Sequence, residues 1–169
     1  WEERTLYCFY KLKNFDQFEA RLKKAVIHKN ASPFLATLST HYSQNMKIKD
    51  IYNFCPRPLD FVCHEQVPEL MESDSKLLYD LIYDIDTCKI GERKQKRLSY
   101  GIQSAGNLFK RPEKSFKSLE VALSKLIRNY FLRFKEKPCE FISSFPKEVE
   151  FSSSWFVKMQ SGGHLSSHI

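Results

Sequence analysis

Between Phe116 and Phe134 the apolar side chains recur with the period of an α-helix, and beyond Lys137-Pro138 the period drops to two. Phe116, Leu119, Ala122, Leu123, Leu126, Ile127, Tyr130, Phe131 and Phe134 form one stripe behind a Ser115 cap. Trp155, Val157 and Met159 then alternate with Phe156, Lys158 and Gln160, a strand pattern. A long amphipathic helix followed by strands points to an α+β arrangement, in which the helix lays its apolar stripe on a sheet and keeps its charges in water.

The segments in front of that helix read as further helices. Leu6, Phe9 and Tyr10, then Phe15, Phe18, Leu22, Ala25 and Val26, predict a helical hairpin over residues 2–29 with a turn at Lys13-Asn14, comparable in size to one tetratricopeptide unit. Ser32 followed by Pro33 is a cap and first-turn pair that starts a third helix through Phe34, Leu35, Leu38 and Tyr42. Pro56 and Pro58 disfavour helix over residues 51–62 and predict an extended linker. Leu77, Leu78, Leu81, Ile82 and Ile85 mark another helix, capped by Ser73 or Ser75. Tyr100 and Ile102 suggest a short strand, and Ser161-Gly162-Gly163-His164 a turn that ends the last one.

Composition narrows the function classes. No apolar run approaches the ~20 residues of a membrane helix, so no membrane is expected. Five cysteines, an odd number without any Cys-x-x-Cys, argue against a disulfide framework and for a reducing, cytoplasmic setting. Cys55, Cys63 and His64 lack the spacing of a structural zinc site. There is no Gly-rich phosphate loop, no Gly-x-Ser-x-Gly elbow and no His-Glu-x-x-His. The net charge of +7 is concentrated: residues 91–137 carry 13 basic and 4 acidic groups. Arg93, Lys94, Lys96 and Arg97 lie in a predicted loop, and Lys114, Lys117, Lys125, Arg128, Arg133, Lys135 and Lys137 on or beside the long helix. The full apolar stripe makes these charges the solvated face of that helix, which disfavours nucleic acid as a partner.

Two segments carry a family resemblance. Ser154-Trp155-Phe156-Val157-Lys158-Met159-Gln160-Ser161-Gly162-Gly163-His164-Leu165-Ser166-Ser167-His168-Ile169 resembles the first core strand and metal loop of Fe(II)/2-oxoglutarate oxygenases often found behind tetratricopeptide repeats. Their pattern is a Trp-led strand, a Gly-containing turn and a His-x-His motif followed by a Ser-Gly-x-x-Tyr strand. Tyr100-Gly101-Ile102-Gln103-Ser104-Ala105-Gly106-Asn107-Leu108-Phe109 is similar to the family's Gly-Tyr-Gln-Thr segment, which ends in Leu-Phe, with Ile102 and Ser104 in place of Tyr and Thr.

The resemblance spans about residues 95–169 and implies a double-stranded β-helix, or jelly roll, of which this chain holds the leading helices and first strands. It divides the chain into a helical, tetratricopeptide-like or linker region over 1–45 and the front of the oxygenase domain over 46–169. It makes His168 an iron ligand, with 2-oxoglutarate and O₂ as co-substrates. A facial triad takes three protein ligands. One histidine cannot supply it, so the chain, which opens on Trp1 and stops at Ile169, reads as a fragment that is catalytically silent by itself. Gln103, Asn107, Trp155 and His164 are candidate substrate contacts, the substrate being a protein or peptide. Each also has a structural reading: backbone hydrogen bonding for Gln103 and Asn107, a core anchor for Trp155, a solvated turn for His164. The competing account is a non-enzymatic helical module whose basic helix meets an acidic partner or nucleic acid.

Overall fold

A computed structural model describes residues 1–27, 32–55, 57–93 and 95–166. Helices dominate, beside one antiparallel three-stranded sheet of order β1-β2-β3, an α+β composition. The chain divides into two compact units, Trp1–Cys63 with Tyr130–Lys147, and His64–Asn129 with Glu148–Ile169.

The first unit opens with α1 (Glu2–Lys11), α2 (Phe15–Ile27) and α3 (Pro33–Met46). The hairpin turn falls where the sequence puts it, with Lys13 at φ 55° and the Asn14 side chain accepting from the Gln17 amide. Ser32 caps α3 by accepting from the Leu35 amide at 3.1 Å, with Pro33 in the first turn. Leu6, Phe18, Leu22 and Leu35 are at most 1% exposed and form the heart of this core, each contributing roughly 1.5–3 kcal/mol by burial. Phe18 meets Tyr42 edge-on at 5.0 Å between ring centroids.

The proline-containing stretch is not a free linker. Asp50 accepts from Ser39 Oγ, Thr40 Oγ1 and the Tyr52 amide, fastening the start of the segment to α3. Tyr52 is buried, and the Asn53 and Phe54 carbonyls accept from the Glu140 and Phe141 amides at the start of α7 (Glu140–Ser143). A 3₁₀ turn (Pro58–Phe61) then carries Phe61 into a second cluster with Tyr130, Phe134, Cys139, Phe141 and Ile142. Among the described residues of 51–62 there is no α-helix, but bends and the 3₁₀ turn replace the expected extended linker, and aromatic neighbours make the stretch part of the core.

In the second unit α4 (Pro68–Met71) leads to α5 (Lys76–Thr87), capped by Ser75 through the Leu78 amide at 3.1 Å. Helix α6 (Lys114–Phe134) has the predicted length, and its residues 114–129 belong to this unit. Ser115 is not its cap: its hydroxyl donates to Asp84 Oδ2 of α5 at 2.6 Å. Phe116 and Leu119 form one cluster with Leu77, Leu81 and Ile85 of α5 and with Leu108 and Phe109, so the stripe of α6 meets a helix and a turn as well as the approach to the sheet at Phe156.

Strands β1 (Glu92–Arg93), β2 (Leu98–Ser104) and β3 (Val157–Leu165) make the sheet. Gln103 faces Val157, Ile102 faces Lys158 and Gly101 faces Met159, whereas beyond Tyr100 the partners become Ser99 with His164 and Leu98 with Leu165. Tyr100 alone thus lies opposite residues 160–163, a wide bulge. The glycines expected to end the strand instead let it continue: Gly162 takes φ +78°, and pairing resumes at His164.

Gly163 sits where the two strands crowd. A Cβ there would lie 2.8 Å from the Gln160 carbonyl oxygen, 2.9 Å from Met159 Cβ and 2.9 Å from the Tyr100 carbonyl oxygen. Gly163→Ala is expected to destabilise the protein by about 1–3 kcal/mol in urea unfolding. Gly91→Ala, with nothing within 4 Å of its Cβ position, should stay within about 0.5 kcal/mol.

A second prediction concerns Tyr42, whose phenol is pushed up to about 12 by burial and then by its hydrogen bond to, and the charge of, Glu19. The folded state holds this proton more tightly than the unfolded chain. The resulting stability is present below pH 10 and is lost as pH rises from 10 to 12. Tyr42→Phe should flatten that part of the pH–stability curve relative to the parent, measured by urea unfolding across the same range.

Candidate functional site

The two segments singled out by the sequence, 100–109 and 154–165, lie side by side in the second unit. Their joint is built from small polar side chains. Asn107 Nδ2 donates to the Phe151 carbonyl at 2.9 Å, and its Oδ1 accepts from the Phe109 amide at 3.1 Å and from Ser154 Oγ at 2.5 Å. Ser154 Oγ also accepts from the Phe109 amide, and its carbonyl from the Leu108 amide. One step along, Ser104 Oγ accepts from the Phe156 amide at 3.0 Å while the Ser104 amide donates to the Phe156 carbonyl. A register slip would break this whole set together.

The candidate residues distribute around that joint. Gln103 is 9% exposed, in the register position shared by Arg93 and Val157. Asn107 caps the 3₁₀ turn Leu108–Lys110 and commits its side chain to the contacts above. Trp155 is 53% exposed and so is not the expected core anchor. The reason is strand alternation: the next residue, Phe156, joins the cluster of Leu81, Leu108 and Phe116, which puts Trp155 on the opposite side. His164 is exposed, opposite Ser99 at the far side of the bulge, with Nδ1 3.4 Å from the Gly162 carbonyl oxygen. His168 lies outside the described residues.

Two features were not singled out in the sequence. Ser154 and Ser104 carry the joint, and a lone serine ahead of a strand or at its end gives no periodic signal. Tyr100 has φ 50° and is 70% exposed, a conformation uncommon for a bulky residue. Its neighbour Gly101 is the only local hint, since a Cβ at Gly101 would lie 2.7 Å from the Lys158 carbonyl oxygen. A shallow depression lined by Tyr100, Ile102, Lys158, Met159 and Gln160 surrounds this point.

The charge pairs near the sheet range from exposed to half-buried. Lys158 pairs with Asp86 at 2.6 Å and lies over the Phe156 ring. Arg111 grips Glu113 at 2.5 Å just ahead of α6, and that hydrogen bond holds the Glu113 carboxyl below its usual value. Burial pushes the Cys88 thiol up, as it does Cys55 in the first unit, where Cys139 and Asp60 add to the effect, so neither is an activated nucleophile. All five cysteines are free. Among the described residues no group of three or more His, Cys, Asp or Glu side chains converges on a point that could hold a metal ion, and no helix is long and apolar enough to cross a membrane. No protein-family model, curated protein or solved structure matches the chain.

Asn107→Ala would leave the Phe151 carbonyl and the Ser154 hydroxyl short of a partner. It is expected to cost roughly 1–3 kcal/mol in urea unfolding. Unchanged stability would show that the Asn107 contacts do not hold the joint.

Proposed function

We propose that this chain is the front part of an Fe(II)/2-oxoglutarate-dependent oxygenase of jelly-roll fold, acting in the cytoplasm on a protein or peptide. The observation that carries the reading is the juxtaposition of the two resembling segments. Tyr100 to Phe109 and Ser154 to Leu165 are some fifty residues apart in sequence and share a ladder through Gln103 and Val157 and a side-chain joint through Asn107 and Ser154. Adjacent core strands of one sheet require such a neighbourhood.

A second observation agrees. Trp155, Val157 and Met159 are 53%, 36% and 49% exposed, an apolar strip that the facing sheet of a jelly roll would cover. Iron, where bound, would supply the site at which 2-oxoglutarate and O₂ meet. The described residues do not make that site by themselves, since no three ligands converge among them. In this reading β3 delivers the chain toward His168, the candidate ligand, and the remaining ligands come from further strands. The bulge and the Asn107 joint would fix where that loop leaves the sheet.

The competing reading, a non-enzymatic helical module whose basic helix meets an acidic partner or nucleic acid, is favoured by one observation: Lys114, Lys125 and Arg128 of α6 have no acidic partner among the described residues, while Lys117 does.

The experiment is made on the parent protein under anaerobic Fe(II) titration and with 2-oxoglutarate turnover followed as succinate release. His168→Ala is expected to abolish both iron binding and turnover. Retention of both by this variant would refute the assignment of His168, and absence of iron binding by the parent would refute the oxygenase reading itself.

A further inference from the structure

We propose that Ser99 is a phosphorylation site for a serine/threonine kinase that recognises basic residues ahead of its acceptor. Lys96-Arg97-Leu98-Ser99-Tyr100 sets a lysine and an arginine three and two residues before the serine and an aromatic ring directly after it. No other serine or threonine of the chain has Lys or Arg at both of those positions, and the nearest carboxylates in sequence are Glu92 and Glu113. Kinases select substrates by such charge patterns, because carboxylates beside their active site attract cations at fixed distances from the reacting hydroxyl.

The fold leaves the recognition residues within reach. Lys96 and Arg97 are exposed in the turn that leads into β2, and neither has an acidic partner among the described residues, so a kinase breaks no ion pair to engage them. Tyr100 is 70% exposed. Ser99 is half-buried, and its hydroxyl makes no hydrogen bond among the described residues.

A kinase takes its substrate as an extended chain, so residues 96–100 have to leave the sheet, and little holds them there. Beyond the bulge the ladder is two pairs long, Leu98 with Leu165 and Ser99 with His164. The Ser166 amide adds a bond to the Arg97 carbonyl at 2.9 Å, and the Leu98 amide one to the Gln95 carbonyl at 3.0 Å. Tyr100, with φ 50°, and the register shift beside it separate these pairs from the continuous ladder of residues 101–103, so they can open without it. Leu98 and Leu165 belong to none of the core clusters, so the opening uncovers no core.

In the transfer the Ser99 hydroxyl oxygen attacks the γ-phosphorus of ATP. An Oγ–P bond forms, the bond from that phosphorus to the β,γ-bridging oxygen breaks, ADP leaves, and the hydroxyl proton goes to the kinase's own base. The product carries a charge of about −2. It lies across the ladder from His164 and beside Lys96 and Arg97 in sequence, so no neighbouring carboxylate repels it when the pairs close again.

The test uses the full chain, with neither iron nor 2-oxoglutarate, so its outcome and that of the oxygenase experiment are independent. The purified chain is incubated with ATP and the catalytic subunit of cyclic-AMP-dependent protein kinase, which takes basic neighbours, and in parallel with casein kinase, which takes acidic ones. The modified residue is located by tandem mass spectrometry. The first kinase is expected to phosphorylate Ser99. Ser99→Ala should remove this incorporation and Ser99→Thr retain it, while Arg97→Ala should lower kcat/KM about tenfold or more. In the unmodified chain, amide hydrogen exchange should be at least about tenfold faster at Leu98 than at Ser104, whose amide bonds to the Phe156 carbonyl on the other side of the bulge. No incorporation, incorporation only at another residue, equal labelling of Ser99 by casein kinase, an unchanged kcat/KM for Arg97→Ala, or equal protection of Leu98 and Ser104 overturns the proposal.

Discussion

A strand that is covered on one edge depends on whatever fixes its register, and in the second unit that is the set of hydrogen bonds made by Asn107, Ser104 and Ser154. Each has an ordinary hydrogen-bond length, and each satisfies a backbone group of a residue distant in sequence. Their effect is collective. With Ser104 tied to Phe156 on both amide and carbonyl sides, Phe156 is delivered to the Leu81, Leu108 and Phe116 cluster, and the next residues must run along β2. The bulge opposite Tyr100 is the consequence at the other end: three extra residues on β3 are absorbed where Gly162 can take a positive φ and Gly163 can sit against two carbonyl oxygens. A side chain at Gly163 would collide with both oxygens, whereas one at Gly162 would have space and strain only the positive φ.

Local signals were legible wherever local chemistry decides. Ser32-Pro33 and Ser75 cap helices as read, because capping involves residues three apart. The stripe from Phe116 to Phe134 yields one helix, because its period persists over its whole length. What was not legible depends on distant partners. Ser161-Gly162-Gly163 looks like a turn, since glycines with positive φ serve turns and bulges alike, and the difference lies in the pairing of His164 with Ser99. Alternation around Trp155 gives two faces but not which one the core takes; Phe156 wins because Ser104 holds its backbone. The Pro56-x-Pro58 stretch reads as a linker because nothing within it reveals that Asp50 will be held by Ser39 and Thr40.

Part of the basic excess is paired: Lys117 with Glu120 and Lys158 with Asp86 are contacts with an exposed partner that contribute little to stability, while Arg111 with Glu113 is more enclosed. Arg93 at the end of β1 and Lys96 and Arg97 in the turn that leads into β2 have no acidic partner among the described residues, and neither do Lys114, Lys125 and Arg128 of α6, so solvation accounts for both groups alike.

The sheet as described has one demand that its own residues do not meet: a strip of Trp155, Val157 and Met159 faces water. Three strands with one apolar face are close to the smallest sheet that holds together, and such a sheet gains most from a second layer over that face. The strip calls for a packed sheet, which the oxygenase proposal provides. Because Phe156, between Trp155 and Val157, already packs on Leu81, Leu108 and Phe116, such a layer would cover the opposite side of the strand and leave that cluster as it is.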